Sequence, residues 1–439
     1  MMNKVERFSL FAVLLGFCIQ IVTGQSESPG TGTAEIDALP LDEIRTFTEV
    51  FAKVKNDYVV EIDDKKLLEN AIRGMLEGLD PHSAYLDKES YKELQEGTTG
   101  EFGGLGIEVG MENGFIKVIA PIDDTPAQRA GIQSGDLITR LDDTPVKGMS
   151  LDDAVSLMRG KPGTDITLTV MRENEDKPLV FTITRDIITV QSVKSRTLEP
   201  GFGYIRISHF QAHTAEDMQR NIDSLRKENN DALKGLILDL RNNPGGVLNA
   251  AVDVADQFLD KGLIVYTEGR IKDSRLKFNA KPADLLNQSP LVVLVNSGSA
   301  SASEIVAGAL QDHKRAVIMG ERTFGKGSVQ TILPMANEAA LKLTTARYYT
   351  PSGRSIQAEG IMPDIIIENI TLANIEKDSA HIIKEADLSG HLENDNGSPV
   401  ADDANKPKEE ETPLSVKDYQ LYEALNVLKG LVLQQKKLG

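Results

Sequence analysis

Residues 296–330 read NSGSASASEIVAGALQDHKRAVIMGERTFGKGSVQ. Ser297, Ser299, Ser301 and Ser303 alternate with small residues ahead of an apolar helical run, and Lys326 follows between two glycines. A serine hydroxyl is a weak nucleophile until a base takes its proton, and lysine can stand in for histidine as that base. It does so when burial lowers its pKa from about 10.4 towards neutrality. Glycines on both sides allow the tight turn that would send Lys326 inward. The pair predicts a hydrolytic enzyme, with peptide bonds as its target. Spacing alone does not choose among the four serines. Ser301-Ala302-Ser303-Glu304 also has the form of a capping box at a helix start, and a solvated loop is the commoner setting for a lysine. The two readings of the serine are compatible, because a helix N-terminus would place the Ala302 N–H where an oxyanion forms. Gln330 falls on the same strand face as position 326 and would hold the amine in line, or else occupy a polar edge. The run Asp239–Gly246, DLRNNPGG, leaves an apolar strand. Its glycines offer a second oxyanion donor, although NPGG is a strong turn signal by itself.

Several other patterns fail on inspection. The segment from Gly320 to Lys326 nearly spells a phosphate-binding loop, but Gly327 stands where the magnesium-binding hydroxyl should be. Ser274 and Lys277 match S-x-x-K without its companion motifs. The six histidines show no metal spacing; His209 and His213 are four apart with no further ligand nearby.

The elements that must position these residues alternate. Strands are predicted at 204–210, 235–246, 263–269, 291–296, 316–320, 328–335 and 340–350, and helices at 214–227, 247–260 and 301–313. Continuous apolar runs such as LILDL and LVVLV indicate buried strands in an α/β layer structure. Residues 100–187 read as a separate compact module, with strands at 114–122, 136–143, 165–172 and 179–186 and helices at 126–132 and 150–160. Its opening, GGLGIEVG, places Leu105, Gly106 and Ile107 in a glycine loop. Such a loop either exposes backbone N–H groups to a carboxylate or simply kinks a strand start. Residues 41–96 carry helical periodicity broken at Asp80-Pro81-His82. Residues 368–412 are acidic and polar, a flexible linker. Residues 414–435 then form an amphipathic helix that must dock on the body, a second subunit or a partner.

At roughly 150 residues per domain, 439 residues make about three domains. Net charge is -18, which argues against nucleic acid as a partner. Lys4 and Arg7 precede an apolar run from Phe8 to Val22, with small residues before Gln25. This fits a secretory signal peptide at residues 1–24, with an uncleaved anchor as the alternative. Cys18 is the sole cysteine and lies inside that run after Phe17, so lipidation is not expected. The mature chain then has no disulfide, no Cys-ligated metal and no thiol nucleophile. An exported, acidic, thiol-free chain reads as a protein of the bacterial cell envelope, in the periplasm.

The motifs LDPHSAYL (79–86), FGGLGIEV (102–109), APIDDTPAQRAGIQSGDLI (120–138), DLRNNPGG (239–246), GSASASEI (298–305), FGKGSVQ (324–330) and YYTPSGRSIQAEGI (348–361) occur in this order. Together they resemble the carboxyl-terminal processing proteases, the tail-specific Ser-Lys peptidases of family S41, along nearly the whole chain from about residue 40. The resemblance implies a multidomain α/β architecture: a crotonase-like (ClpP/crotonase-type) protease core at 188–367, an inserted PDZ domain at 100–187, an N-terminal helical region at 38–99, the linker at 368–412 and a C-terminal helix at 413–439. It implies Ser301 as nucleophile, Lys326 as general base, Gln330 as its orienting group, and the Ala302 and Gly246 amides as oxyanion donors. The Leu105-Gly106-Ile107 loop would bind a substrate's C-terminal carboxylate, and Arg159 would couple peptide binding to catalysis. No metal or cofactor is implied. The expected substrates are C-terminal tails of unfolded proteins. The helices at 41–96 and 414–435 would build a homo-oligomer or dock an envelope lipoprotein adaptor. The competing expectation is a non-catalytic PDZ adaptor or chaperone.

Overall fold

The computed structural model describes residues 40–438 apart from positions 123, 174, 176, 283, 369 and 371–412. The leader at 1–24 and most of the 368–412 linker therefore lie outside the described residues. Among the described residues, no helix is long and apolar enough to cross a membrane.

The core is a six-stranded sheet in the order Val193–Glu199, Phe202–Ile207, Gly235–Asp239, Leu291–Val295, Val317–Gly320, Ile365–Ile366. Its first pair is antiparallel and the remaining pairs are parallel. The central strands Gly235–Asp239 and Leu291–Val295 are buried at every position. That follows from their sequences, because strands covered on both faces read as unbroken apolar runs. Leu236, Leu238, Leu291, Val293 and Val295 pack under the helices Thr214–Glu228, Leu248–Asp256 and Ala302–Asp312. Ile237, Val292 and Leu294 face the other way, against Leu421, Leu425, Leu428 and Val432. The C-terminal helix thus docks on the body. It covers the second face of the sheet, the first of its three expected destinations. It is not one helix: Leu414–Lys417 and Tyr419–Leu438 are separated at Asp418, which takes an extended φ of -155°.

A second sheet carries the long strand Ala340–Tyr349, which pairs with Ser328–Pro334, Leu263–Gly269 and a short strand Ala84–Leu86. That last strand follows the break expected at Asp80-Pro81-His82 within the helical region at 38–99. Tyr85 is only 4 % exposed and packs with Leu76 and Ala339, so the segment is drawn into the sheet after the break at Asp80-Pro81. Residues 40–70 form a unit of their own, with the helix Leu41–Asp57, in which no residue is buried.

The recognition module has a sheet with Ile107–Glu112 at one edge, followed by Phe115–Pro121, Leu137–Leu141, Asp165–Met171 and Leu179–Thr184. The helices Pro126–Ala130 and Leu151–Met158 cover it. Its core, built on Ile116, Val118, Ile138, Leu168 and Val170, is separate from the core of the main sheet. The chain enters and leaves it through two strands not foreseen from sequence, Glu101–Gly104 and Asp186–Thr189, which pair antiparallel with each other.

Candidate active site

The strand Leu291–Val295 delivers the serine run to the sheet's edge, and the structure distinguishes the four hydroxyls. Ser299 is buried and its Oγ donates to the Leu240 carbonyl at 2.8 Å. Ser303 is buried and donates to the Asn243 carbonyl at 2.9 Å. Ser297 is exposed and does not line the cavity described below. Ser301 does line it, immediately before the helix Ala302–Asp312. Its backbone sits at φ 54°, ψ -110°, a conformation residues with a Cβ seldom adopt and one that concentrates at functional sites.

Glu304 holds that conformation. Its side chain has no solvent exposure, and each oxygen accepts two donors. Oε2 takes the backbone N–H of Ser301 (2.8 Å) and of Lys326 (2.9 Å). Oε1 takes the Thr323 hydroxyl (2.6 Å) and the Gly325 N–H (2.7 Å). Burial pushes the carboxyl pKa up, and these four donors pull it back. The sequence reading of a capping box had found only the Glu304-to-Ser301 half of this arrangement.

Lys326 is placed by the same carboxylate and by its glycines. Gly325 has φ 93°, and a Cβ on Gly327 would come within 2.5 Å of the Gln357 nitrogen. The Lys326 carbonyl accepts the phenol of Tyr348, which is itself buried. Burial lowers the Lys326 pKa, the nearby Lys342 charge lowers it further, and Glu304 and Asp80 pull it back up. Among the described residues the Lys326 amine and the Ser301 hydroxyl do not hydrogen-bond each other; such contacts commonly tighten only when substrate binds.

Two amides among the described lining residues are left without an acceptor. Ala302 opens its helix, and its N–H has no acceptor among the described residues. Of the two glycines in Asn-Pro-Gly-Gly, Gly245 gives its N–H to Asn243 Oδ1 at 2.9 Å. The Gly246 N–H has no acceptor among the described residues. Gly246 has φ 140° and approaches Phe210 so closely that a Cβ would lie 2.1 Å from its carbonyl oxygen.

Ser301, Lys326, Gln330, Ala302 and Gly246 line one cavity of about 520 Å³. Its apolar wall includes Leu94, Phe210, Val247, Ile305 and Ile332. Gln330 enters from the strand Ser328–Pro334. Lys342, Tyr348 and His209 also line the cavity, and the sequence reading had not placed them there. Lys342 stands opposite Ile332 across the strand pair, a relationship set by register and invisible to local spacing.

The recognition residues lie elsewhere. Gly106 has φ 76°, and a Cβ on it would meet the Thr125 side chain at 2.3 Å. The Leu105 and Gly106 N–H groups have no acceptor among the described residues. Arg159 does not enter the cavity. It ends the helix Leu151–Met158, bonds Glu96 Oε2 at 2.7 Å and stacks on Phe102 at 4.7 Å. Glu96 belongs to the helix Lys88–Thr99, whose Glu93, Leu94, Gly97 and Thr98 line the cavity.

Comparison with known proteins identifies the family. Residues 201–367 match peptidase family S41, residues 103–184 the PDZ domain, and residues 20–90 the activating protease CtpB N-terminal domain. The carboxy-terminal-processing protease of Bartonella bacilliformis is 50 % identical over 393 residues, covering 88 % of each chain. The carboxy-terminal processing protease CtpA of Bacillus subtilis is 36 % identical over 358 residues, covering 81 % of this chain and 75 % of that one. Among solved structures, the photosystem II D1 C-terminal processing protease is 32 % identical, covers 74 % of this chain and 93 % of its own, and gives a TM-score of 0.42. The Bartonella and Bacillus relatives favour the protease over the adaptor reading. With a PDZ domain joined to a mixed α/β S41 core, the chain belongs to the carboxy-terminal processing serine proteases of peptidase family S41.

Proposed function

We propose that Ser301 is the nucleophile of this protease, Lys326 its general base and Gln330 the group that orients the base. The observation that carries this reading is that, of the four serines, Ser301 alone lines the cavity, together with Lys326. Neutral Lys326 takes the Ser301 proton as Oγ adds to the substrate carbonyl carbon. The oxyanion is held by the Ala302 and Gly246 N–H groups. Lys326 then gives its proton to the leaving amine as the C–N bond breaks. Water, deprotonated by Lys326, adds to the acyl-enzyme, and the Ser301 ester bond breaks to release the acid as Lys326 returns that proton to Ser301 Oγ. Burial of Lys326 supports this role, because it keeps the neutral amine accessible.

The unpaired N–H groups of Leu105 and Gly106, in the Leu105-Gly106-Ile107 loop, receive the C-terminal carboxylate of an unfolded protein. The tail adds as a strand along the sheet edge Ile107–Glu112. Arg159 passes this event to the catalytic cavity through Glu96 and the helix Lys88–Thr99. The N-terminal pattern supports export to the bacterial periplasm, with the leader either cleaved or retained as a tether. Exposed Ile44, Phe47 and Val50 on the helix Leu41–Asp57 support a homo-oligomer, and an envelope lipoprotein is the adaptor class this location offers.

The test is degradation of an unfolded polypeptide with an apolar C-terminus by the wild-type chain, Ser301→Ala and Lys326→Ala. Loss of cleavage in both variants with retained tail binding is expected. Unchanged turnover by Lys326→Ala would remove the Ser–Lys assignment.

A further inference from the structure

Behind Gln330 the hydrogen bonds run outward in a single direction. Gln330 Nε2 donates to Ser328 Oγ at 2.9 Å and to Thr344 Oγ1 at 3.3 Å. Thr344 Oγ1 donates to Asp80 Oδ1 at 3.1 Å. Asp80 sits in the turn after the helix Asp64–Glu77, and that turn is fastened to the same strand. Its carboxylate accepts the His82 N–H (2.8 Å), the Ser83 N–H (3.0 Å) and the Ser83 hydroxyl (2.7 Å). Ser83 Oγ in turn accepts the Thr344 N–H at 3.1 Å, and Ala84 pairs with Lys342 in the adjoining strand.

The proton inventory of this chain has one solution. An ionised carboxylate only accepts, so Thr344 gives its single hydroxyl proton to Asp80. The Thr344 oxygen is then an acceptor towards Gln330. Both amide protons of Gln330 are engaged, one on Ser328 and one on Thr344. The amide therefore cannot turn over, and Oε1, which has no donor among the described residues, is left for the Lys326 amine that shares its cavity. We propose that Asp80 and Thr344 are positioning residues for proton transfer: the Asp80 carboxylate orients the Thr344 hydroxyl, which locks the Gln330 amide with its carbonyl oxygen turned to Lys326. Neither residue lines the cavity, so neither touches substrate there. The inference rests on the reading of Gln330 as the lysine's orienting group.

The test compares the full chain with Thr344→Val, Thr344→Ser, Asp80→Ala, the Asp80→Ala/Thr344→Val pair and Gln330→Ala. Steady-state kcat and KM are followed against pH on a labelled unfolded polypeptide with an apolar C-terminus, beside thermal melting. Valine keeps the branched shape suited to a strand and loses only the hydroxyl. Thr344→Val is expected to lower the kcat plateau about 10- to 100-fold, the scale of a misplacement of about 1 Å, with KM little changed. Because no charge is removed, the acid limb of the profile stays in place. Thr344→Ser restores most of the rate. The double variant is no slower than the slower single variant, as for members of one chain. Wild-type kcat in Thr344→Val beside an inactive Gln330→Ala overturns the relay and keeps the role of Gln330. Full activity in Gln330→Ala removes both. Losses that multiply in the double variant, or that follow a lowered melting temperature without rescue by serine, also overturn the relay.

Discussion

Ser301 and Lys326 are held by one oxygen atom: Glu304 Oε2 accepts both of their backbone N–H groups, at 2.8 and 2.9 Å. The two residues come from different loops, and no other contact among the described residues ties their amides together so directly. The separation of the proposed nucleophile and base is thus fixed at the backbone, before either side chain chooses a rotamer. In Glu304→Gln an amide NH₂ would face two N–H donors in a fully buried site. Each donor left unpaired costs about 1–3 kcal/mol. A lower melting temperature is expected, with loss of proteolysis beyond what partial unfolding explains. Proteolysis at the wild-type rate in a stably folded Glu304→Gln protein would show that the shared oxygen does not matter.

Lys342 sets where the enzyme works on the pH scale. The Lys326 pKa is lowered chiefly by burial and next by the Lys342 charge. The proposed mechanism needs the neutral amine, so activity should rise as pH passes the Lys326 pKa. Replacing Lys342 by glutamine removes a positive charge, makes protonation of Lys326 easier and moves its pKa back towards the usual lysine range. The acid limb of the kcat profile should shift to higher pH in Lys342→Gln, with activity near neutrality reduced. A limb that stays put would assign Lys342 no electrostatic part.

Gly245 is required by both conformation and space. Its φ of 104° is strained for any residue with a side chain, and an added Cβ would lie 2.8 Å from Ser301 Cβ and from the Ala300 carbonyl oxygen. One is a backbone oxygen and the other the first side-chain atom of Ser301, fixed to its backbone, so neither can swing aside. Gly245→Ala should abolish cleavage and leave binding of a C-terminal peptide to the PDZ domain unchanged. Peptide titration of the inactive variant checks the second half.

Leu428 tests the place of the C-terminal helix. It is fully buried within one chain, and a Cβ on Gly235 would meet its Cδ1 at 2.8 Å. Leu428→Ala should destabilise the protein by about 2–5 kcal/mol in urea unfolding, through lost burial and the cavity left behind. A change in assembly state without a loss of stability would mean that the helix serves a second subunit instead.

Much of the core was legible because its signals are local. Unbroken apolar runs gave the strands Gly235–Asp239 and Leu291–Val295, and the four-and-three spacing of Met218, Ile222 and Leu225 marked the helix Thr214–Glu228. The helix Leu248–Asp256 ended earlier than its expected limit of residue 260. The strand Ala84–Leu86 was missed because three residues carry too little alternation to be read, and its partners are about 256 positions away. For the site, spacing alone left four serines open. Family motifs selected Ser301, and burial of its neighbours gives the physical reason that Ser299 and Ser303 are unavailable. Glu304 was visible as a cap but not as a bridge, since Lys326 lies 22 residues further along. Lys342 gave no signal at all, and Asp80 was legible only as part of a helix break. Their place beside Lys326 comes from how the second sheet is put together, which no periodicity encodes.

The paired strands Glu101–Gly104 and Asp186–Thr189 carry the chain out to the PDZ domain and bring it back at neighbouring points. A module with adjoining ends and its own core is, topologically, a cassette. Exchanging it for another of like end spacing leaves the strand order of the catalytic sheet untouched. What the enzyme chooses and how it cuts can therefore diverge separately over evolutionary time, and a chimaera joined at these two strands is the natural place to redirect the protease to a new class of tails.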